Sequence, residues 1–125
     1  MLLRTGYDRH YVANCRESVG AAVEELRRVG AGSAAWNQLV PALDRWFAIR
    51  NPKVEGRDGN PINEVRAIAE SVTEHGSVMA VPRGIKLTAD SSVLSFEEGE
   101  EISLDGDAFE RLFDAFLAEV EEKLC

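Results

Sequence analysis

Residues 77–104, SVMAVPRGIKLTADSSVLSFEEGEEISL, carry the reading on which the fold class turns. Short apolar runs at Val78 to Val81, Ile85 to Leu87, Val93 to Phe96 and Glu101 to Leu104 alternate with turn residues, the pattern of a small antiparallel β-meander. Pro82-Arg83-Gly84 and Glu97-Glu98-Gly99-Glu100 read as hairpin turns, and Ala89-Asp90-Ser91-Ser92 as a looser connection.

On the N-terminal side of this stretch the apolar period is helical. Val12, Cys15, Val19, Ala22, Leu26 and Val29 recur at alternating three- and four-residue spacing, predicting one buried stripe on a helix from Asp8 to Val29. Gly30-Ala31-Gly32 stops it, and Arg27 and Arg28 complement its dipole. A second helix opens with Ser33 as N-cap and runs to about Arg50 through Trp36, Leu39, Val40, Leu43, Trp46 and Phe47. Pro41 inside it predicts either a kink or two short helices. Asn51-Pro52 opens a polar loop through Arg57, closed by Asp58-Gly59-Asn60-Pro61. Asn60 as N-cap and Pro61 at the first helical position begin a third helix that ends at Gly76. After the meander, Asp105 caps a last helix with Phe109, Leu112, Phe113, Phe116, Leu117, Val120 and Leu124 on one face. The expectation is therefore a single α+β domain over residues 1–125: three N-terminal helices, a small antiparallel β-meander and an acidic C-terminal helix, with the helices covering one sheet face.

The chain has 125 residues, a hydrophobic fraction of 45% and a net charge of -8. That length supplies one core without disulfides or metal. Charge is uneven: residues 1–87 hold twelve Lys/Arg against ten Asp/Glu, or +2, whereas residues 88–125 hold two against twelve, or -10. An acidic field repels phosphate backbones, which disfavours nucleic acid as a partner. No apolar run reaches the roughly 20 residues that cross a bilayer, and Arg4 interrupts Met1-Leu2-Leu3 before a signal-peptide core can form. Cys15 on a helical seam and Cys125 at the C-terminus have no metal-ligand spacing, so no disulfide framework and a cytoplasmic location are expected.

The sequence carries no catalytic motif. His10 and Cys15 are five apart, off a common helical face, so Cys15 reads as a buried structural thiol. Asp105-Gly106-Asp107 lacks the ligand register of a calcium loop, and Gly30 and Gly32 lack the rest of a phosphate loop. No catalytic residue, metal site or cofactor is assigned. The stretch Asp58-Gly59-Asn60-Pro61-Ile62-Asn63-Glu64-Val65-Arg66 offers a candidate polar recognition patch in Asp58, Asn60, Asn63, Glu64 and Arg66. Its structural alternative is a turn, a cap and an ion pair.

That stretch resembles one in a group of small bacterial proteins in which a meander and an acidic C-terminal helix follow; the resemblance spans about residues 50 to 125 and implies no activity. Gly84-Ile85-Lys86-Leu87 through Gly99-Glu100-Glu101-Ile102 resembles swapped-hairpin DNA-binding domains of the AbrB type. That resemblance implies duplex binding, for which Arg83 and Lys86 supply the only basic residues.

Three functions follow as expectations. The first is a protein-interaction or regulatory module that holds a basic protein partner through its acidic last third, with Glu119, Glu121 and Glu122 crowded where a helix dipole disfavours them. The second is a homodimer or homo-oligomer formed through the seam of the first helix. The third is an enzyme or ligand-binding domain combining His75, Asp58, Glu64 and Arg66.

Overall fold

A computed structural model describes residues 6–125, and its regular structure is helical: α1 (Arg9–Arg28), α2 (Ser33–Arg45), α3 (Pro52–Glu55), α4 (Pro61–Glu74) and α5 (Gly106–Leu124). Asp8 caps α1, its carboxylate accepting from the His10 amide at 2.7 Å. Val12, Cys15, Val19 and Val23 of α1 are buried, while Val29 lies beyond the helix and is 68% exposed. The N-cap of α2 is Gly32, which has no side chain to cap with, and Ser33 is the first helical residue instead of the cap. Pro41 neither splits the helix nor ends it. α2 stops at Arg45, earlier than the apolar spacing suggests, and the backbone continues through Trp46, Phe47 and Ala48 by tighter three-residue hydrogen bonds. Phe47 is nevertheless fully buried, so its spacing marked the core without marking helix.

The polar loop expected from Asn51 contains α3, one turn capped by Asn51, whose side chain accepts from the Lys53 amide at 2.9 Å. Asn60 caps α4 by accepting from the Ile62 and Asn63 amides at 2.9 and 3.1 Å, and Pro61 is its first residue. Asp105 caps α5 through the Ala108 amide at 2.8 Å. Every apolar residue expected on the inner face of α5 is buried. α2 packs mainly on α4, and both α1 and α4 pack on α5, so the core is helix against helix.

The α+β expectation is overturned, because among the described residues there is no sheet. Among those residues a single antiparallel bridge between Val78 and Glu101 is the only strand-like pairing. The first and last apolar runs therefore meet, and the middle two join no strand pairing, their amides going to the Arg57 carbonyl and to Glu64 instead. Backbone turns explain this: Ser77 and Ser95 adopt φ of 64° and 58°, and Gly84 and Gly99 adopt 89° and 85°. Together with Pro82, which has no amide to donate, these turns leave no run long enough to form a ladder. What the runs contribute instead is plugs for the helical core. Met79, Ile102 and Leu104 are buried, each stabilising the loop's seat by roughly 1.5–3 kcal/mol, while Val81, Leu87, Val93, Leu94 and Phe96 pack partly against the same core. The paired hairpins implied by the AbrB-type resemblance are likewise absent among the described residues.

Candidate functional site

A segment without strands must still satisfy its amides and carbonyls, and here helix side chains do so. Glu64, 1% exposed on the inner side of α4, accepts from the Val93 amide at 2.7 Å, the Leu94 amide at 2.9 Å and the Ser92 hydroxyl at 2.8 Å. Asn37 of α2 donates to the Ile102 carbonyl at 2.8 Å and accepts from the Leu104 amide at 3.0 Å, pairing with the chain as a neighbouring strand would. Ser71 of α4 accepts from the Ala80 amide at 2.9 Å while its hydroxyl donates to the Ala67 carbonyl at 2.7 Å. Between these anchors, Met79 donates to the Glu100 carbonyl and Gly99 to the Met79 carbonyl, each at 2.8 Å, closing the loop at its base. Residues 77–104 thus form one long loop tied at both ends and in the middle.

The expected recognition patch is the lower half of this anchoring. Asn60, Asn63 and Glu64 are buried and turn their polar atoms inward, which leaves no polar surface for a partner at those three positions. Asn63 accepts from the Gly59 amide at 3.0 Å and donates to Glu55 at 2.9 Å and to the Gly56 carbonyl at 3.0 Å. Asp58 is exposed and accepts from the Asn60 side-chain amide at 2.8 Å; that hydrogen bond, with the Lys123 charge nearby, holds its carboxyl below the usual range. Arg66 reaches Glu55 through two hydrogen bonds of 2.6 and 3.1 Å. The hub is Glu55, which also accepts from Arg50 at 2.7 Å, while Arg50 donates onward to the Phe47 carbonyl and to Asp44. Sequence reasoning missed Glu55, Arg50 and Asn37. Asn37 had a signal, as a polar residue beside Trp36 on the buried stripe of α2; Glu55, in a stretch read as an exposed loop, had none.

Glu64→Gln is expected to remove a charged acceptor from two backbone amides at once, costing roughly 1–3 kcal/mol. Native-state hydrogen exchange checks it: the Val93 and Leu94 amides should lose protection while those of α4 keep theirs. Unchanged protection at both amides would mean that Glu64 does not hold the loop.

Acidic residues of the last third divide into two sets. Those on α5 face the arginines of α1: Glu121 pairs with Arg16 at 3.4 Å and lies 4.0 Å from Arg9, and Asp107 and Glu110 both engage Arg27 at 3.0 and 3.1 Å. Glu119 pairs with Lys123 at 2.8 Å in the last turn, which offsets the dipole cost expected there, and Glu122 is exposed. The loop set differs. Asp90, Glu97, Glu98, Glu100 and Glu101 are all exposed, and none of them joins an ion pair among the described residues. Their turn is ordered from within, the Val81 amide donating to Glu98 and the Glu97 amide to Glu100, each at 2.9 Å. Beside it lies a cleft of about 200 Å3 with Val81, Leu87 and Phe96 as apolar lining and Glu97 and Glu98 at its edge.

The set proposed for acid–base chemistry is dispersed. Glu64 lies at the start of α4 and His75 at its C-cap, about 16 Å apart at the helical rise, with Glu64 sealed beneath residues 92–94. Cys15 is buried, and burial pushes its thiol up to about 12 against the smaller opposing effect of Arg16, which leaves it without a nucleophilic thiolate. No helix among the described residues is long and apolar enough to cross a membrane. Comparison with protein families, with characterised proteins and with solved structures finds no match to this chain.

Proposed function

We propose that this protein is a non-catalytic protein-interaction module that binds a basic protein segment on the acidic rim of its 77–104 loop. The observation that carries the reading is the division of charge: α5 carboxylates are largely answered by arginines of α1, whereas the five loop carboxylates join no ion pair among the described residues. A loop of this length without strands or helices is uncommon unless it has a task, and this one is held by buried Glu64, Asn37 and Ser71 in a fixed shape. Preorganisation lowers the entropy lost on binding. The apolar cleft beside Glu97 and Glu98 suits a Lys or Arg next to an aliphatic or aromatic residue. Self-association through the α1 seam has less support, since that seam is already buried against the rest of the chain.

The test compares three forms of the full chain as bait in native lysate: wild type, E97Q/E98Q/E100Q/E101Q, and E119Q/E121Q/E122Q. One basic protein is expected to be retained by wild type and by the helix variant, released by salt, and lost from the loop variant. The purified partner should then show an affinity that falls with ionic strength for wild type and hardly at all for the loop variant. Retention that survives the loop changes and disappears with the helix changes would move the interface to α5 and defeat the proposal.

A further inference from the structure

A larger groove lies elsewhere, between α2 and α4, with a volume of about 500 Å3 and Pro41, Asp44, Arg45, Arg66, Glu70 and Glu74 among its lining. At its end, one ligand atom from each of Glu70, Glu74 and His75 lies within 4.8 Å of the other two. We propose that Glu70, Glu74 and His75 bind a divalent transition-metal ion, of the zinc type, with open coordination positions toward this groove.

Geometry supplies the first argument. Glu70 and Glu74 are four residues apart and share a face of α4. His75 is the C-cap, with φ -126° and ψ 24°, so the chain leaves the helix there and its imidazole is not bound to the next helical position. Bonds of about 2.0–2.2 Å place two donors of a tetrahedral ion about 3.4 Å apart, a convergence that rotation of the exposed Glu74 and His75 side chains toward half-buried Glu70 can supply. One imidazole with two carboxylates suits zinc-like ions better than calcium or magnesium, which favour all-oxygen sites.

Charge supplies the second. Like-charged residues at i and i+4 repel, and the C-terminal end of a helix is its negative pole, so both carboxylates stand where an uncompensated anion is unfavourable. α4 has no basic residue in its last turn, and among the described residues neither Glu70 nor Glu74 forms an ion pair; the Arg66 charge acts on Glu70 from one turn back, but its guanidinium is hydrogen-bonded to Glu55. On α5 the same situation at Glu119 is answered by Lys123; on α4 a bound cation would answer it. Arg45 and Arg66, on the groove wall, would then face any anion that completed the ion's coordination.

Tag-free full chain, stripped of metal by a chelator, is titrated with zinc by calorimetry and with cobalt(II) by visible absorption. One ion per chain is expected, with the intense cobalt bands of a low-coordinate site. H75A and E70Q/E74Q should each weaken binding by more than about 10-fold, at least the loss seen when even an outer partner of a metal ligand is removed. Because Glu74 and His75 are exposed, both proteins should keep wild-type circular dichroism. H10A and C125S, which remove the other imidazole and the exposed thiol, should bind as wild type. Absence of saturable binding at millimolar metal overturns the assignment, as does H75A titrating like wild type or C125S abolishing binding.

Discussion

Gly59→Ala is expected to lower unfolding stability by about 2–4 kcal/mol, a large effect for the addition of one methyl group. Gly59 is buried with φ of 84°, a conformation that costs an L side chain about 1–2 kcal/mol. A β-carbon there would also overlap the Lys86 carbonyl oxygen and stand 2.8 Å from Ser91 Oγ. The first obstacle is backbone and cannot swing aside, so the loop must move. Movement endangers the hydrogen bond from the Lys86 amide to the Arg57 carbonyl at 3.0 Å, and with it the seating of the neighbouring residues on α4. Urea denaturation gives the stability change, and amide exchange at Lys86, Val93 and Leu94 reports the displacement. A midpoint within error of wild type would show that the close approach of residues 59 and 86 does not exist in solution.

Glu55→Gln should cost about 3–5 kcal/mol, the usual penalty when one partner of a buried ion pair is removed. Glu55 is 3% exposed and the Arg50 side chain is fully enclosed, so the substitution leaves a buried guanidinium with Asp44 as its remaining carboxylate. Arg66 and Asn63 lose the same charged acceptor. E25Q, which touches only an exposed pair with Arg28 at 3.9 Å, should stay within about 0.5 kcal/mol of wild type.

The same residue sets a pH dependence. Burial pushes the Glu55 carboxyl up, but hydrogen bonds and charge from Arg66 and Arg50 outweigh it and hold the carboxyl below its ordinary 4.5. A carboxyl depressed in the folded state binds its proton more readily when unfolded, so its contribution is complete above 4.5 and drains away as pH falls through the folded-state value. Denaturation midpoints measured from neutral to acid pH should therefore fall less steeply for E55Q than for wild type. Parallel curves would separate Glu55 from the acid lability of the protein.

Local signals in the chain were readable because they depend on neighbours a few residues away. Asn60 and Asp105 cap helices as their chemistry dictates, Pro61 opens α4, and the seven apolar residues of α5 lie on one buried face. Period fails where the run is short. Four residues such as Val78 to Val81 alternate equally well as a strand or as an extended loop with a plug residue, and Met79 became the plug. The candidate site shows the same limit. Asn63 and Glu64 are polar and lie in a polar stretch, and only the arrival of Glu55 and of residues 92–94 from elsewhere in the chain turns them into interior anchors.

The positions of the four longer helices, the apolar faces they carry and the concentration of negative charge after residue 87 all follow from the order of residues along the chain. Each of these is set by spacing within a helical turn or by composition. The three-dimensional packing sets the rest: residues 77–104 are a loop, α5 acidity is answered by α1, and among the described residues the loop carboxylates and those of Glu70 and Glu74 join no ion pair. A backbone amide can be satisfied by a strand or by a distant carboxylate, and a charge by a residue 80 or more positions away. Which partner is chosen depends on how the helices bring them together in space.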